Sequence, residues 1–73
     1  MEEEKLLKIF GLNLKFERMK HGFTQETVAE ALNVSAVYVS NVEAGKHRVS
    51  LVNAKKFADF YDKSIDYLIA EKA

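Results

Sequence analysis

Seventy-three residues with 11 basic and 11 acidic side chains and 48% hydrophobic content make a chain of zero formal charge, sized for one domain and too short to carve a deep catalytic cleft. The absence of cysteine excludes disulfides and thiolate chemistry, and no apolar run approaches the roughly 20 residues of a membrane span. The opening MEEEKLLKIF is too acidic for a secretory signal, so the expectation is a single domain over residues 1–73, located in the cytoplasm, with no membrane partner.

The predicted elements begin with a helix over Lys5 to Lys20, preceded by Glu2, Glu3 and Glu4. Glu2, Glu3 and Glu4 stand where carboxylates favour a helix N-terminus, and Leu6, Phe10 and Leu14 step along one face as an inward stripe. Gly11 interrupts the helix formers at an expected loss of stability, and Gly22 ends the helix. Leu7, Ile9, Leu12 and Phe16 lie off the stripe, consistent either with neighbours wrapping the helix or with contact to a second chain.

The next stretch, Thr24 to Gly45 (TQETVAEALNVSAVYVSNVEAG), reads as two short helices joined by a tight turn. Thr24 and Ser35 are suited to N-cap them, Asn33 to take a left-handed turn and Gly45 to end the second. Val28, Ala29, Leu32, Val39 and Val42 recur at helical spacings, and the small Ala29 permits a steep, close crossing. The pattern is that of a helix-turn-helix. Val37, Tyr38 and Val39 are also good strand formers, but caps on both sides and the lack of a second strand-like run favour helix.

After a polar loop from Lys46 to Val49, Ser50 can cap a helix from Leu51 to Tyr61 with Leu51, Ala54, Phe57, Ala58 and Tyr61 as its buried face. Asp62 and Lys63 break the pattern, and Ser64 caps a last helix from Ile65 to about Glu71. The expected fold class is therefore all-α with five helices, and no repeat or linker divides it.

The unit from Gln25 to Gly45 resembles the Cro-like, phage-repressor (XRE) family of DNA-binding domains. The matching residues are Gln25, Ala29, Asn33, Val39, Val42, Glu43 and Gly45, with Arg18 and Gly22 upstream and Ser50, Leu51, Phe57, Ala58, Ile65, Asp66 and Leu68 downstream. The likeness runs from Phe10 to Ile69, and Lys63 departs from it, standing where the family has an apolar residue. It implies a five-helix phage-repressor-like domain whose third helix enters the major groove of duplex DNA. It also implies a transcriptional regulator, expected to repress, acting as a homodimer on a pseudo-palindromic operator.

With Ser35 as N-cap, Ala36, Val37 and Tyr38 form the first turn of the reading helix, and Ser40 and Asn41 follow on its outer face. These five are the candidate base readers. Asn41 offers the donor and acceptor that adenine matches, Ala36 and Val37 can pack on a thymine methyl, and Tyr38 fits a contact or a packed aromatic equally. Residues 23–45 carry three acidic and no basic side chains, so an A·T-leaning target is expected. Phosphate attraction then falls to flanking Lys15, Lys20, Lys46, Arg48, Lys55 and Lys56, the last two being equally the wet face of their helix.

The resemblance further implies that Gln25 clamps a backbone phosphate at a helix N-terminus, with Thr24, Ser35, Lys46, His47 and Arg48 as companions. His47 reads equally well as solvated loop. The family also pairs an arginine of the first helix with a glutamate closing the third, which here makes Arg18 and Glu43 a structural ion pair. Val52, Phe60, Tyr67 and Ile69 fall away from the inward stripe of the last two helices, and in the resembling repressors that end carries the dimer contact.

Enzyme chemistry finds no support: His21 and His47 are far apart in sequence and no HExxH pair, phosphate-binding glycine loop or serine elbow accompanies them. No metal, cofactor or small-molecule substrate is expected. The neutral charge and aliphatic reading helix leave a second function open, a protein-interaction module on the same fold, such as an antitoxin-like or adaptor domain.

Overall fold

The computed structural model describes residues 2–72. Its helices are α1 (Glu3–His21), α2 (Gln25–Leu32), α3 (Ala36–Glu43), α4 (Leu51–Phe60) and α5 (Ile65–Leu68), and no strand occurs among the described residues. Residues 36–43 are thus helical, and the strand alternative for them falls away.

Local chemistry explains where the helices start and stop. The hydroxyls of Thr24, Ser35, Ser50 and Ser64 accept hydrogen bonds from the main-chain N–H of Thr27, Tyr38, Asn53 and Tyr67 at 3.0, 3.0, 3.1 and 3.0 Å. Each such cap stabilises its helix by about 1 kcal/mol. Gly22, Asn33, Gly45 and Asp62 all take left-handed φ values, 72°, 58°, 73° and 55°. In each case the following N–H reaches back over the last turn: Phe23 to Arg18, Val34 to Ala29, Lys46 to Asn41 and Lys63 to Ala58. At Asp62 the sequence suggests only a break; its short polar side chain tolerates the left-handed region.

The core is Phe10, Leu14, Val28, Ala29, Leu32, Val39, Val42, Phe57, Ala58, Tyr61 and Leu68. α1 packs against α3 and α5, α2 against α3 and α4, and α4 against α5. Phe10 and Phe57 meet edge-to-face at 6.4 Å, joining the first helix to the fourth. At 1.5 Å per residue α1 is about 28 Å long, close to the longest molecular extent of 31 Å.

Three expectations need correction. Leu51 is not on the buried face but 78% exposed; as the first residue of α4 its side chain lies beyond the edge of the core, where Val49 of the preceding loop packs instead. α4 ends at Phe60, with Tyr61 as its C-cap. α5 stops at Leu68, well short of Glu71, because the buried Asn13 donates Nδ2 to Leu68 O at 2.8 Å and to Ala70 O at 2.9 Å. Those bonds give carbonyls left free at the helix end a partner outside the helix. Lys63, where the family has an apolar residue, is half-buried and holds its Nζ 4.8 Å from the centre of the Tyr67 ring.

Candidate nucleic-acid interface

Two contacts seat α3 against α1. A Cβ on Gly11 would overlap the main-chain oxygens of Val42 and Glu43, so only glycine lets the two helices approach this closely. Beside it, Arg18 Nε donates to Glu43 Oε2 at 2.8 Å and Nη2 to Oε1 at 3.1 Å, while Nη1 holds Phe23 O at 3.0 Å. Gln25 Nε2 also donates to Glu43 Oε1, at 3.0 Å, bringing α2 into the same cluster. The hydrogen bond to Glu43 raises the Arg18 pKa above its usual value against the opposing effect of burial. α1, α2 and α3 are thus tied together by one buried carboxylate.

Held this way, α3 turns Val39 and Val42 fully into the core and leaves Val37 70% exposed. Ser40 is exposed and Asn41 half-buried, with no side-chain partner for Asn41 among the described residues. Ala36 is half-buried against the core. Tyr38 lies between the alternatives left open for it: half-buried, it accepts a hydrogen bond from Asn53 Nδ2 at 3.0 Å, and its ring faces that of His47 at 5.7 Å. It braces α3 on α4 and on the loop between them.

The phosphate candidates divide by what already engages them. Gln25, its Nε2 engaged by Glu43, shares a shallow hollow with Lys15, Ser40, Glu43 and Ala44, so an α1 cation, the α2 N-terminus, the outer face of α3 and the Glu43 carboxylate meet at one place. The Thr24 and Ser35 hydroxyls are exposed and act as caps. Lys46 and His47 are exposed. Arg48 is exposed but reaches Glu3 at 2.9 Å, Lys20 reaches Glu17 at 3.1 Å, Lys55 reaches Asp59 at 2.7 Å, and Lys56 Nζ donates to Leu32 O at 3.4 Å. Among the described residues, Lys15 and Lys46 are the flanking cations without such a partner.

The dimer candidates are unlike one another. Val52 is 67% exposed. Phe60 is half-buried between Phe23 and Tyr61, with ring centres at 5.6 and 4.9 Å. Tyr67 lies under Lys63 and Lys72, and Ile69 is half-buried against the core. Asn13, Glu17 and the Gln25 to Glu43 bond were missed from sequence. A signal existed for the first two: Phe10, Asn13, Leu14 and Glu17 fall at helical spacings on one face, and all four are buried.

No group of metal-ligating side chains and no helix long and apolar enough to cross a membrane occurs among the described residues. The pattern of the Helix-turn-helix family matches residues 14–68, the span from mid-α1 to α5 that builds this arrangement. The chain belongs to that family, in its Cro-like (XRE) branch. This helix-turn-helix chain is 37% identical over 46 residues to the uncharacterised HTH-type transcriptional regulator YqaF of Bacillus subtilis, covering 63% of its own length and 60% of that relative. It is 34% identical over 61 residues to the B. subtilis HTH-type transcriptional regulator ImmR, covering 84% of itself and 48% of ImmR. It thus spans about half to three fifths of these two relatives. The crystal structure of the restriction-modification controller protein C.AhdI from Aeromonas hydrophila superposes with a TM-score of 0.78 at 39% identity, over 85% of this chain and 94% of that one.

Proposed function

We propose that this helix-turn-helix domain is a DNA-binding transcriptional regulator that acts in the cytoplasm and reads the major groove of duplex DNA with α3. The observation that carries the reading is the meeting of Lys15, Gln25 and Ser40 beside the exposed outer face of α3. A phosphate held by Lys15 and the α2 N-terminus would set Val37, Ser40 and Asn41 against base edges. Gln25, Thr24, Ser35, Lys46, His47 and Arg48 are proposed as backbone contacts; Arg48 would exchange Glu3 for phosphate. Tyr38 and Ala36 are proposed to contribute at the margin of the reading surface, since both also pack inward. Arg18 and Glu43 are proposed to position α3 and to touch no base.

Repression, as one domain over residues 1–73 dimerising on a pseudo-palindromic operator, is the proposed mode. The relatives' names speak only for transcriptional regulation, and the exposed Val52 supports the dimer contact. A protein-interaction module on the same fold is the rival reading, favoured by the zero net charge and the absence of Lys and Arg from α3. Selection of bound sequences from a random duplex pool, followed by a salt titration on the winner, separates the two. A regulator enriches an A·T-leaning, two-fold related site whose affinity falls steeply with salt; an interaction module enriches nothing.

A further inference from the structure

The hydroxyl of Tyr38 is held from across the fold: Asn53 Nδ2 of α4 donates to it at 3.0 Å, and both residues are half-buried. Neither end of that bond is loose. The Ser35 hydroxyl fixes the main-chain N–H of Tyr38 at 3.0 Å and the Ser50 hydroxyl fixes that of Asn53 at 3.1 Å. Each side chain thus leaves the capped first turn of its helix. The His47 ring lies 5.7 Å from that of Tyr38, on the side of the loop between α3 and α4.

A phenol has one hydrogen to donate and lone pairs to accept. Asn53 fills an acceptor position, and no described residue accepts the hydrogen. The bond therefore fixes where the oxygen sits and leaves its one donor for an acceptor outside the chain. Position indicates which acceptor. Val37, 70% exposed, stands out from α3 toward solvent, whereas the Tyr38 oxygen is tied sideways to α4, next to the loop that carries the exposed Lys46, His47 and Arg48. With α3 in a major groove, a donor on that flank faces the wall of the groove and not its floor, and the wall is built of phosphate.

We infer, resting on the proposed reading of DNA by α3, that Asn53 is a positioning residue for DNA binding: it holds the Tyr38 hydroxyl so that its hydrogen is donated to a phosphate oxygen. The test measures fluorescence anisotropy on the selected duplex and on a scrambled one, with a thermal melt of every protein. The variants are Tyr38→Phe, Asn53→Ala and Asn53→Asp, and each Asn53 variant combined with Tyr38→Phe. Tyr38→Phe should weaken both duplexes about tenfold, the size of a hydrogen bond to a charged acceptor. Asn53→Ala should weaken both about threefold, and should cost nothing further in the Tyr38→Phe background. Asn53→Asp separates positioning from bracing, because a carboxylate only accepts and so keeps the link between α3 and α4 by taking the hydroxyl hydrogen. Its melting temperature should match the parent while affinity falls about tenfold or more, and most of that fall should vanish in the Tyr38→Phe background, where only repulsion between carboxylate and phosphate is left. A purely structural brace predicts instead that affinity follows the melting temperature. Parent-like binding by Tyr38→Phe, tighter binding by Asn53→Ala, an equal Asn53→Asp loss in both backgrounds, or a Tyr38→Phe loss confined to the selected duplex would each overturn the role of Asn53 and leave the DNA reading in place. A parent chain that binds neither duplex overturns both.

Discussion

Gly11 lies directly against the main-chain carbonyl of Glu43, so close that a Cβ at position 11 would stand 2.6 Å from that oxygen. Intrinsic propensity says that alanine should improve the middle of α1 by about 1 kcal/mol. The contact reverses the sign, because the atoms in the way are backbone at the end of α3 and cannot rotate aside. Overpacking of this kind costs about 1 to 3 kcal/mol. Gly11→Ala should therefore lower the melting temperature by several degrees in a thermal scan, at about 4 to 8 °C per kcal/mol for a domain of this size. An unchanged or higher melting point would show that the helices have room to part.

The Arg18 and Glu43 side chains are only 14% and 4% exposed. Removing Arg18 leaves a buried carboxylate with Gln25 as its remaining side-chain donor. Arg18→Ala is expected to destabilise by about 3 to 5 kcal/mol, whereas Arg18→Met combined with Glu43→Leu recovers most of the loss. Urea denaturation of the single and double variants measures both. If the double variant is as unstable as the single, the cost comes from lost packing rather than from a stranded charge.

Tyr61 gives the fold an alkaline limit. Burial pushes its hydroxyl up to about 12 from an ordinary 10.0, Glu43 adding to the shift and Arg18 opposing it. Below about pH 10 the tyrosine is neutral in folded and unfolded chains, so its contribution does not change. Between pH 10 and 12 the unfolded chain ionises while the folded one resists, and stability falls by about 2 to 3 kcal/mol across that window. Tyr61→Phe should show a shallower fall there than the parent chain in denaturation series at matched pH. Identical slopes would mean that Tyr61 ionises in the folded state as readily as outside it.

Val52 is the clean probe of the proposed dimer, because it is 67% exposed and absent from the core, while Tyr67 and Phe60 also pack inward. Val52→Glu should leave the melting temperature of the dilute chain unchanged and shift sedimentation toward monomer. On a full operator it should reduce binding cooperativity. A parent chain that stays monomeric and fills single half-sites independently would remove Val52, Phe60, Tyr67 and Ile69 from the interface together.

Much of the fold is legible in the sequence because its boundaries are set locally. Thr24, Ser35, Ser50 and Ser64 bond a main-chain N–H three residues away, and Gly22, Asn33 and Gly45 act within one turn. What was not legible depends on residues far away in the chain. The end of α5 is fixed by Asn13, 55 residues before Leu68, and Gly11 changes from a weak point to a requirement only when α3 is beside it. Leu51 fits the helical period of a buried face, but periodicity does not say where the core stops. At the candidate interface, the Ser35 cap and the family resemblance named the outer residues of α3, whereas the bracing of Tyr38 by Asn53 and the convergence of Lys15 with Gln25 needed the packed helices.

The proposed division of labour between α3 and the start of α2 is tested most directly by Asn41→Ala and Gln25→Ala on two duplexes, the selected site and a scrambled one, with affinities measured by anisotropy at fixed salt. Asn41→Ala is expected to weaken the selected site by about 1 to 3 kcal/mol and leave the scrambled duplex unaffected, because a base contact carries sequence information. Gln25→Ala is expected to weaken both duplexes alike, because a phosphate contact does not. Unaltered discrimination in Asn41→Ala, together with a loss confined to the selected site in Gln25→Ala, would refute base reading by α3.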